Sequence, residues 1–308
     1  MAKNKKSKSG TSSGRPFWKS ENFRGYMFMI PTLIGFPLFT LYPLISSLYC
    51  SFCDWDGVNA PVWKGLKNYT FILTQDPIFP KSLKVTLEYA LINVPMTLIL
   101  GLAVAVLLNK RLPGIKIFRT IYYLPTIIPA VAAILLWKFM FKSDTGMING
   151  VLQQIGLQPV GWLTSERVVL IALSIIKWWA VGGTMMIFLA GLQSVPDELY
   201  EAAKLDGAGR WSLFRHITIP MITPILFLQL ITGLIGNLQA FNEASIMTEG
   251  GPNYGSYFVN YDIYMTAFNQ GSKFGRACAE AWILFIIIAI LTVIVFRSSE
   301  TYVYYENE

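Results

Sequence analysis

The stretch AWILFIIIAILTVIVF, residues 281–296, contains no charged residue and does not alternate between apolar and polar positions. Backbone N–H and C=O groups cannot stay unpaired in hydrocarbon, so a membrane-crossing segment is either a helix or a strand of a closed barrel. Strands of a barrel are short segments in which apolar and polar residues alternate. The stretch therefore predicts a transmembrane helix.

The rest of the chain has a similar character, because 54% of its 308 residues are hydrophobic and only 14% are charged. Soluble domains carry about a quarter charged residues. Apolar runs of about 20 residues, the length at which a helix crosses a bilayer, recur along the sequence. They predict an all-α integral membrane protein with six transmembrane helices: Tyr26–Cys50, Lys84–Leu108, Ile117–Phe141, Val168–Leu192, Met221–Phe241 and Ala277–Phe296.

The positions of lysine and arginine predict how these helices are oriented. Of the 25 such residues, fifteen lie in the N-terminal tail, in the 109–119 and 193–220 loops or at Arg297, and eight lie in the loops of the opposite side. Cytoplasmic loops carry the excess of positive charge. We therefore expect a multi-pass membrane protein whose N- and C-termini are both cytoplasmic.

These spans divide the chain into three parts. Residues 1–25 are a basic tail rich in Lys, Ser and Gly, a composition that predicts disorder. We expect this tail to contact anionic lipid, and we expect no binding of nucleic acid. Residues 26–297 form the transmembrane domain, within which residues 194–220 are a cytoplasmic elbow, and residues 298–308 are a short cytoplasmic tail.

The sequence lacks the patterns of an enzyme. It contains no G-x-x-x-x-G-K-[ST] loop for a nucleotide, and its single histidine, His216, has no cysteine or second histidine nearby. Cys50 and Cys53 form a C-x-x-C outside any thioredoxin-like pattern, which favours incidental apolar cysteines over a redox site. We expect no catalytic residue, no metal and no cofactor in this chain.

The segment EAAKLDGAGRWSLFRHITIP, residues 201–220, interrupts the apolar runs between spans four and five. A helix start is favoured by Pro-Asp-Glu at residues 196–198, and Gly207 favours a helix end because glycine adopts the left-handed conformation. The pattern predicts two short helices joined by a turn, with Ala202 and Ala203 small enough for another protein to approach closely. An amphipathic linker without a partner is the alternative that composition leaves open.

The order of residues in this elbow resembles the EAA signature of permease subunits in binding-protein-dependent ABC importers. That signature reads E-A-A, two residues, D-G-A, five residues, F, two residues, I, one residue, L-P. The matching positions are Glu201, Ala202, Ala203, Asp206, Gly207, Ala208, Phe214, Ile217 and Pro220, with Ile219 in place of leucine. The surrounding GLQSVPDELYEAAKLDGA is similar to sugar importers related to maltose and glycerol-phosphate permeases. TEGGP at residues 248–252 resembles the family's T-G-G-G-P, with Glu249 replacing a glycine.

The resemblance implies a type I ABC importer-like fold and a permease subunit of the bacterial plasma membrane that is not itself an enzyme. Its implied partners are two ABC ATPase subunits, which bind the ATP and Mg, a second homologous permease that completes a heterodimer, an extracytoplasmic solute-binding protein and a sugar. The elbow of this family is a coupling helix that docks in a groove of the ATPase. Glu201 would then pair with basic groups, Ala202 and Ala203 would fit the groove, and Gly207, between Asp206 and Ala208, would form the turn.

Polar side chains within the spans predict the substrate path. Lys177 lies near the middle of span four, where a lysine facing lipid costs about 3 kcal/mol, and such charges usually mark a pathway. We expect a polar cavity to which the following residues contribute: Lys177, Glu88, Glu280, Asn237, Gln239 and one of the rings of Trp178 and Trp179. The alternative is that Lys177 pairs with a structural partner such as Glu280 while the tryptophans only pack.

An ion-driven secondary transporter is the alternative function. Such transporters usually show repeated halves and broken helices at the midplane, and no internal repeat is visible in this sequence. The identity of the sugar stays open at this point. Lys177 is compatible with an acidic sugar or a phosphate-bearing polyol, and a neutral oligosaccharide fits the resemblance equally well.

Overall fold

The computed structural model describes residues 21–110 and 113–302, so the first twenty residues of the basic tail and the last six residues lie outside it. The described chain is almost entirely helical. The α-helices are α1 (Glu21–Phe36), α2 (Tyr42–Ser51), α3 (Lys67–Thr74), α4 (Ile78–Leu108), α5 (Ile115–Ile127), α6 (Ala130–Met140), α7 (Met147–Gln154), α8 (Val169–Trp179), α9 (Gly182–Ser194), α10 (Asp197–Leu205), α11 (Arg210–Leu213), α12 (Ile219–Met221), α13 (Thr223–Leu238), α14 (Val259–Tyr264) and α15 (Phe274–Tyr302).

Four short segments have the wider π-helical hydrogen-bond pattern: Pro37–Leu41, Phe214–Thr218, Glu243–Thr248 and Met265–Asn269. The first joins α1 to α2, where Pro37 has no N–H to donate to the α-helical ladder. The strands β1 (Cys53–Asp54) and β2 (Val62–Trp63) pair antiparallel and form a small hairpin directly after α2.

The described residues contain six apolar segments long enough to span a membrane, as the sequence predicts, if each of two bent helix pairs counts as one span. Spans one, two, five and six are Tyr26–Ser51, Ile78–Leu108, Thr223–Thr248 and Phe274–Ser299. Span three is α5 with α6, and span four is α8 with α9. The boundaries agree with the predicted ones to within a few residues, except that span two begins earlier and span five continues into the π-helical segment Glu243–Thr248.

The sequence predicts spans three and four as continuous helices, and the structure breaks both. The two helices of span three meet at 95°, because Ile128 before Pro129 is extended (φ −68°, ψ 129°), the conformation that a residue before proline prefers. The helices of span four meet at 48° after Ala180, just before Gly182 and Gly183. Glycine weakens a helix at that point.

Gly182 also allows spans three and four to pack closely at their breaks. A Cβ added at Gly182 would collide with the carbonyl oxygen of Tyr122 and lie 2.7 Å from the hydroxyl of Thr126, both on α5. The absence of a side chain therefore lets the start of α9 lie directly on the backbone of α5. The break of span four is covered by protein at this point.

Apolar clusters at the two ends of the bundle show how the spans alternate. At one end, Leu192 near the end of α9 and Ile222 just before α13 belong to the same buried cluster as the end of α4. We call this the elbow end, because α10 follows α9 there. At the other end, Phe79 at the start of α4, Leu238 at the end of α13 and Ala279 at the start of α15 share a second cluster. We call this the hairpin end.

Span two is the centre of the bundle, since α4 contacts α8, α9, α13 and α14. Two buried polar side chains of α4 fix its neighbours. Asn93 donates to the hydroxyl of Ser174 on α8 at 2.8 Å, and the hydroxyl of Thr86 accepts the backbone N–H of Val259 on α14 at 3.0 Å. By contrast, the most apolar stretch of span one is 0% buried against the rest of the protein. Its surface therefore faces lipid or another protein.

Candidate coupling elbow and translocation site

The elbow is a short helix, a glycine turn and a second helix, as the sequence predicts. Helix α10 begins after Pro196 with Asp197 and Glu198 in its first turn, where negative charge suits the helix dipole. It ends at Asp206, and Gly207 follows with φ +81°. The N–H of Gly207 donates to the carbonyl of Lys204 at 3.0 Å, and the next N–H, of Ala208, reaches back to Ala203 at 2.9 Å.

A glycine is required at position 207 because of the backbone conformation there, and not because a side chain would lack space. A Cβ added there would have nothing within 4 Å, but a positive φ of this size is unfavourable for a residue with a side chain. Gly209, two residues later, also has open space around it, and its φ of −75° is ordinary for any residue. The two glycines of one turn therefore differ only in the backbone conformation that they must adopt.

The outer side of the elbow is exposed, and its base is anchored. No residue of α10 is buried, so Glu201 and Ala202 are exposed and Ala203 is partly exposed. At the tip, the side chain of Leu205 is 90% exposed and that of Trp211 is 71% exposed.

Three residues attach the elbow to the ends of the spans. Tyr200 packs against the elbow-end cluster, and its hydroxyl lies 3.0 Å from that of Thr218. Val195, two residues before α10, is buried in the same cluster. The elbow thus stands outside the core as a unit that is fixed at its base.

Lys177 forms an ion pair, and its partner is Glu243. The Nζ of Lys177 lies 2.7 Å from Oε1 of Glu243, whose side chain is 7% exposed. Lys177 therefore has a partner of the kind that the structural alternative describes, although the partner is Glu243 and not Glu280. A second lysine supports the same segment, because Nζ of Lys138 on α6 donates to the carbonyl of Ile246 at 2.7 Å. Lysines of spans three and four together hold the π-helical segment Glu243–Thr248.

Glu88 and Glu280 do not face a shared cavity with Lys177. Glu88 lies on the exposed face of α4, 3.7 Å from Lys84. Glu280 is fully buried on α15, where its Oε1 accepts a hydrogen bond from the hydroxyl of Thr266 at 3.3 Å. Nearby Asp262 on α14 lies outside the spans, and burial, followed by the charge of Asp76, raises the pKa of Asp262 to about 7.

Asn237 alone of the predicted pathway residues lines a polar cavity between spans two, four and five. This cavity of about 230 Å³, which we call the Asn237 cavity, has the following polar lining: Thr97 on α4, Thr184 on α9, and Gln229, Thr232 and Asn237 on α13. The amide Nδ2 of Asn237 donates to Gly233 at 2.8 Å, while its Oδ1 is buried without a partner among the described residues. Every polar group of this lining is neutral.

The remaining candidates lie elsewhere. Gln239 is exposed and lines a separate, largely apolar groove beside α15. Trp179 packs edge-on against Trp137, with ring centroids 5.8 Å apart. Trp178 is partly buried, and its Nε1 has no hydrogen-bond partner within the described chain. The structure therefore does not form the single cavity that the sequence predicts from these residues.

Sequence reasoning missed Glu243 and most of the Asn237 cavity. A signal for the cavity is present in the sequence of α13. Polar residues and glycines recur there every three or four positions in an otherwise apolar helix: Gln229, Thr232 with Gly233, and Gly236 with Asn237. That spacing places them on one face of the helix. Glu243 had no such signal, since it lies beyond the predicted end of span five. Among the described residues, no group of three His, Cys, Asp or Glu side chains could hold a metal ion.

The ion pair predicts the result of a double-mutant cycle. Lys177→Met leaves the carboxylate of Glu243 buried without its partner, which should destabilise the protein by about 1–3 kcal/mol. Lys177→Met combined with Glu243→Gln should recover part of this loss, because no unpaired charge then remains. Thermal unfolding of the purified single and double variants in detergent measures the loss of stability and its recovery.

Lys84→Met is the matched control, since Lys84 is 74% exposed in its pair with Glu88 and exposed pairs contribute little. It should leave the unfolding midpoint nearly unchanged. A Lys177→Met protein as stable as the wild type, with impaired uptake, would contradict a structural pair and would return Lys177 to the substrate path.

Comparison with known proteins identifies the family to which this architecture belongs. Residues 97–303 match the family model described as binding-protein-dependent transport system inner membrane component. The probable ABC transporter permease protein YesP of Bacillus subtilis is 38% identical, over 94% of each chain. The lactose transport system permease protein LacF of Rhizobium radiobacter is 33% identical, over 94% of this chain and 98% of the relative.

A solved structure has the same fold. The structure of a bacterial alginate ABC transporter in complex with an alginate pentasaccharide-bound periplasmic protein contains a chain that superposes with a TM-score of 0.79 at 23% identity. The match covers 91% of this chain and 95% of that chain. At this identity the likeness establishes the fold. The match of the family model to two thirds of the sequence, together with the full-length relatives, shows that this chain belongs to the inner-membrane permease components of binding-protein-dependent ABC transport systems.

Proposed function

We propose that this chain forms half of the pathway by which a neutral oligosaccharide crosses the membrane, and that its elbow receives the force for transport from a separate ATPase. The observation that carries the proposal is the elbow: an exposed helix and a glycine turn, fixed to the span ends at their base. Such a unit has little to bind within its own chain. It is suited to dock on another protein.

The apolar tip of the elbow supports docking. Leu205 and Trp211 are among the most exposed large apolar residues outside the spans, and a partner that covered them would remove this apolar surface from water. Glu201 on the same helix would add an ion pair at the rim, which contributes about 0–1 kcal/mol. Packing of Ala202, Ala203 and the apolar tip should therefore dominate the affinity for the ATPase.

The Asn237 cavity supports a neutral sugar as the substrate. Its hydroxyl and amide groups can exchange hydrogen bonds with sugar hydroxyls, and no charged side chain contributes to its lining. Lys177, the feature that left an acidic sugar open, is already neutralised by Glu243. A relative named as a lactose permease is in agreement with a neutral substrate.

The size of the cavity supports a second permease. A volume of about 230 Å³ is below the roughly 300–1,000 Å³ of a typical ligand site. A homologous chain, packed against the uncovered surface of this one, would enlarge the path. We propose a heterodimer of two permeases with two ATPase subunits, an extracytoplasmic binding protein at the hairpin end and the elbow in the cytoplasm. Membership of the ABC permease family argues against the ion-driven alternative.

The glycine turn predicts an uncoupled variant. Gly207→Val forces a branched side chain into a positive φ, at a cost of about 1–2 kcal/mol for the turn. ATP-dependent uptake by the assembled importer should fall by about tenfold, while the amount of protein in the membrane stays the same. Gly209→Val is the matched control and should keep nearly full uptake, because its backbone conformation is ordinary. Full transport by the Gly207→Val importer would argue against a coupling role of the elbow.

The cavity predicts a separate effect on the substrate. Asn237→Leu removes a neutral hydrogen-bonding group worth about 0.5–1.5 kcal/mol, so kcat/KM for uptake should fall by about 2- to 10-fold. Gln239→Leu, an amide at the same end of α13 but outside the cavity, should have no such effect. Equal losses in both variants would mean that the Asn237 cavity is not the path. Uptake measured over a range of sugar concentrations decides between these results.

A further inference from the structure

A strongly basic cavity at the hairpin end lies apart from the elbow and from the Asn237 cavity. Its volume is about 260 Å³, and it lies between the β1–β2 hairpin, α3 and the start of α15. Four cationic side chains line it: Lys64, Lys67, Lys273 and Arg276. Asp54 is the single carboxylate in this lining, so the cavity carries an excess of three positive charges. We call it the hairpin cavity.

Among the described residues these four cations form no close ion pair with a carboxylate, although the charge of Arg276 acts on the buried carboxyls of Asp262 and Glu280. The guanidinium carbon of Arg276 lies over the ring of Phe71, 3.8 Å from its centroid. A cation–π contact of this kind restrains an arginine while its N–H groups stay able to bind an oxyanion. Asp54 offsets only one of these four like charges, and an anion bound between them would relieve the remaining repulsion.

The walls of the cavity are held in place before any ligand binds. Asn68 on α3 donates to the carbonyls of Ser51 at 2.9 Å and Cys53 at 2.8 Å. The N–H of Gly275 donates to the carbonyl of Trp55 at 3.1 Å, and a Cβ at Gly275 would collide with the carbonyl oxygen of Cys53. The hairpin is therefore fixed to both α3 and α15.

The ends of spans one and six lead us to expect the hairpin cavity at the level of the lipid headgroups. Helix α2 ends span one at Ser51, immediately before the hairpin, and α15 begins span six at Phe274, beside Lys273 and Arg276. The indole of Trp55 lines the cavity, and tryptophan is enriched at this level of a bilayer. The most apolar stretch of the adjacent span one is 0% buried against the rest of the protein, which leaves a surface for acyl chains.

We propose that the hairpin cavity binds the phosphate of an anionic phospholipid, with the acyl chains along spans one and six. Charge, cavity size and depth favour this ligand together, because a phosphodiester brings an oxyanion to the end of a span on an apolar tail. The hairpin cavity shares no lining residue with the Asn237 cavity, so the substrate path does not explain its charge. The proposal depends neither on the sugar nor on the elbow.

Lipid retention tests the proposal without a transport assay. The full-length chain is purified from nanodiscs of equimolar phosphatidylcholine and phosphatidylglycerol, and retained lipid is counted by native mass spectrometry. The wild type should be enriched in phosphatidylglycerol. Each basic residue near an anionic lipid surface strengthens binding about fivefold, so Lys67→Gln with Lys273→Gln should lower the affinity for phosphatidylglycerol about 30-fold.

The control removes the same charge on the same side of the bundle. Lys81→Gln with Lys142→Gln changes two lysines at the outer ends of spans two and three, away from the cavity lining, and should keep the enrichment. A further arm adds soluble glycerol 1-phosphate, which should not displace the retained lipid, because it has no acyl chains.

Three results would overturn the proposal. The first is equal retention by the wild type and the Lys67→Gln, Lys273→Gln protein. The second is displacement by soluble glycerol 1-phosphate at concentrations comparable to the lipid, which would make the cavity a site for free phosphate. The third is unchanged lipid retention with a loss of binding-protein-stimulated ATP hydrolysis in that variant, which would assign the cavity to a protein contact.

Discussion

Every backbone N–H and C=O group inside a bilayer must find a partner in the protein, and this constraint shapes the whole bundle. Continuous helices without an internal proline meet it without help, as α15 does. Breaks meet it only where protein covers them. The break in span four lies against the backbone of α5 through Gly182. The irregular end of span five is held by lysines, since Lys177 binds Glu243 and Lys138 binds the carbonyl of Ile246.

The same constraint separates the three sites along the membrane normal. Neutral polar groups can be buried between spans where they bind one another or a substrate, and the Asn237 cavity collects them. Unpaired charges are excluded from that depth, so the cations of the hairpin cavity lie at one end of the spans. The elbow lies at the other end, where an exposed helix carries an apolar tip. A force applied to it would reach spans two, four and five through Tyr200 and Val195.

Sequence reasoning identified the features that depend on local chemistry. Apolar length gave the six spans, and the Asp206-Gly207 pair gave the turn, because few residues other than glycine adopt a φ of +81°. The break at Pro129 was also readable in principle, since proline restricts the residue before it. The TEGGP segment is an exception, because Glu249 adopts a left-handed φ of 51° although it is not a glycine.

Features that depend on how helices rotate against one another were not readable in the same way. The pattern of α4 does not say that Glu88 faces outward while Asn93 faces α8. Lys177 was correctly singled out, but its partner lies 66 positions away in a segment with irregular geometry, so spacing along the chain could not name Glu243. Pathway residues therefore need the structure, whereas the spans and the elbow do not.

The central claim is that the elbow is the contact through which an ATPase drives this permease, and a photo-crosslinker placed at Leu205 tests it most directly. Leu205 on the elbow and Val58 in the loop between β1 and β2 are each 90% exposed. In cells that contain the assembled importer, irradiation should join the position-205 protein to the ATP-hydrolysing subunit, and the position-58 protein should give no such product. Crosslinking of position 205 only to lipid or to the binding protein would contradict the account.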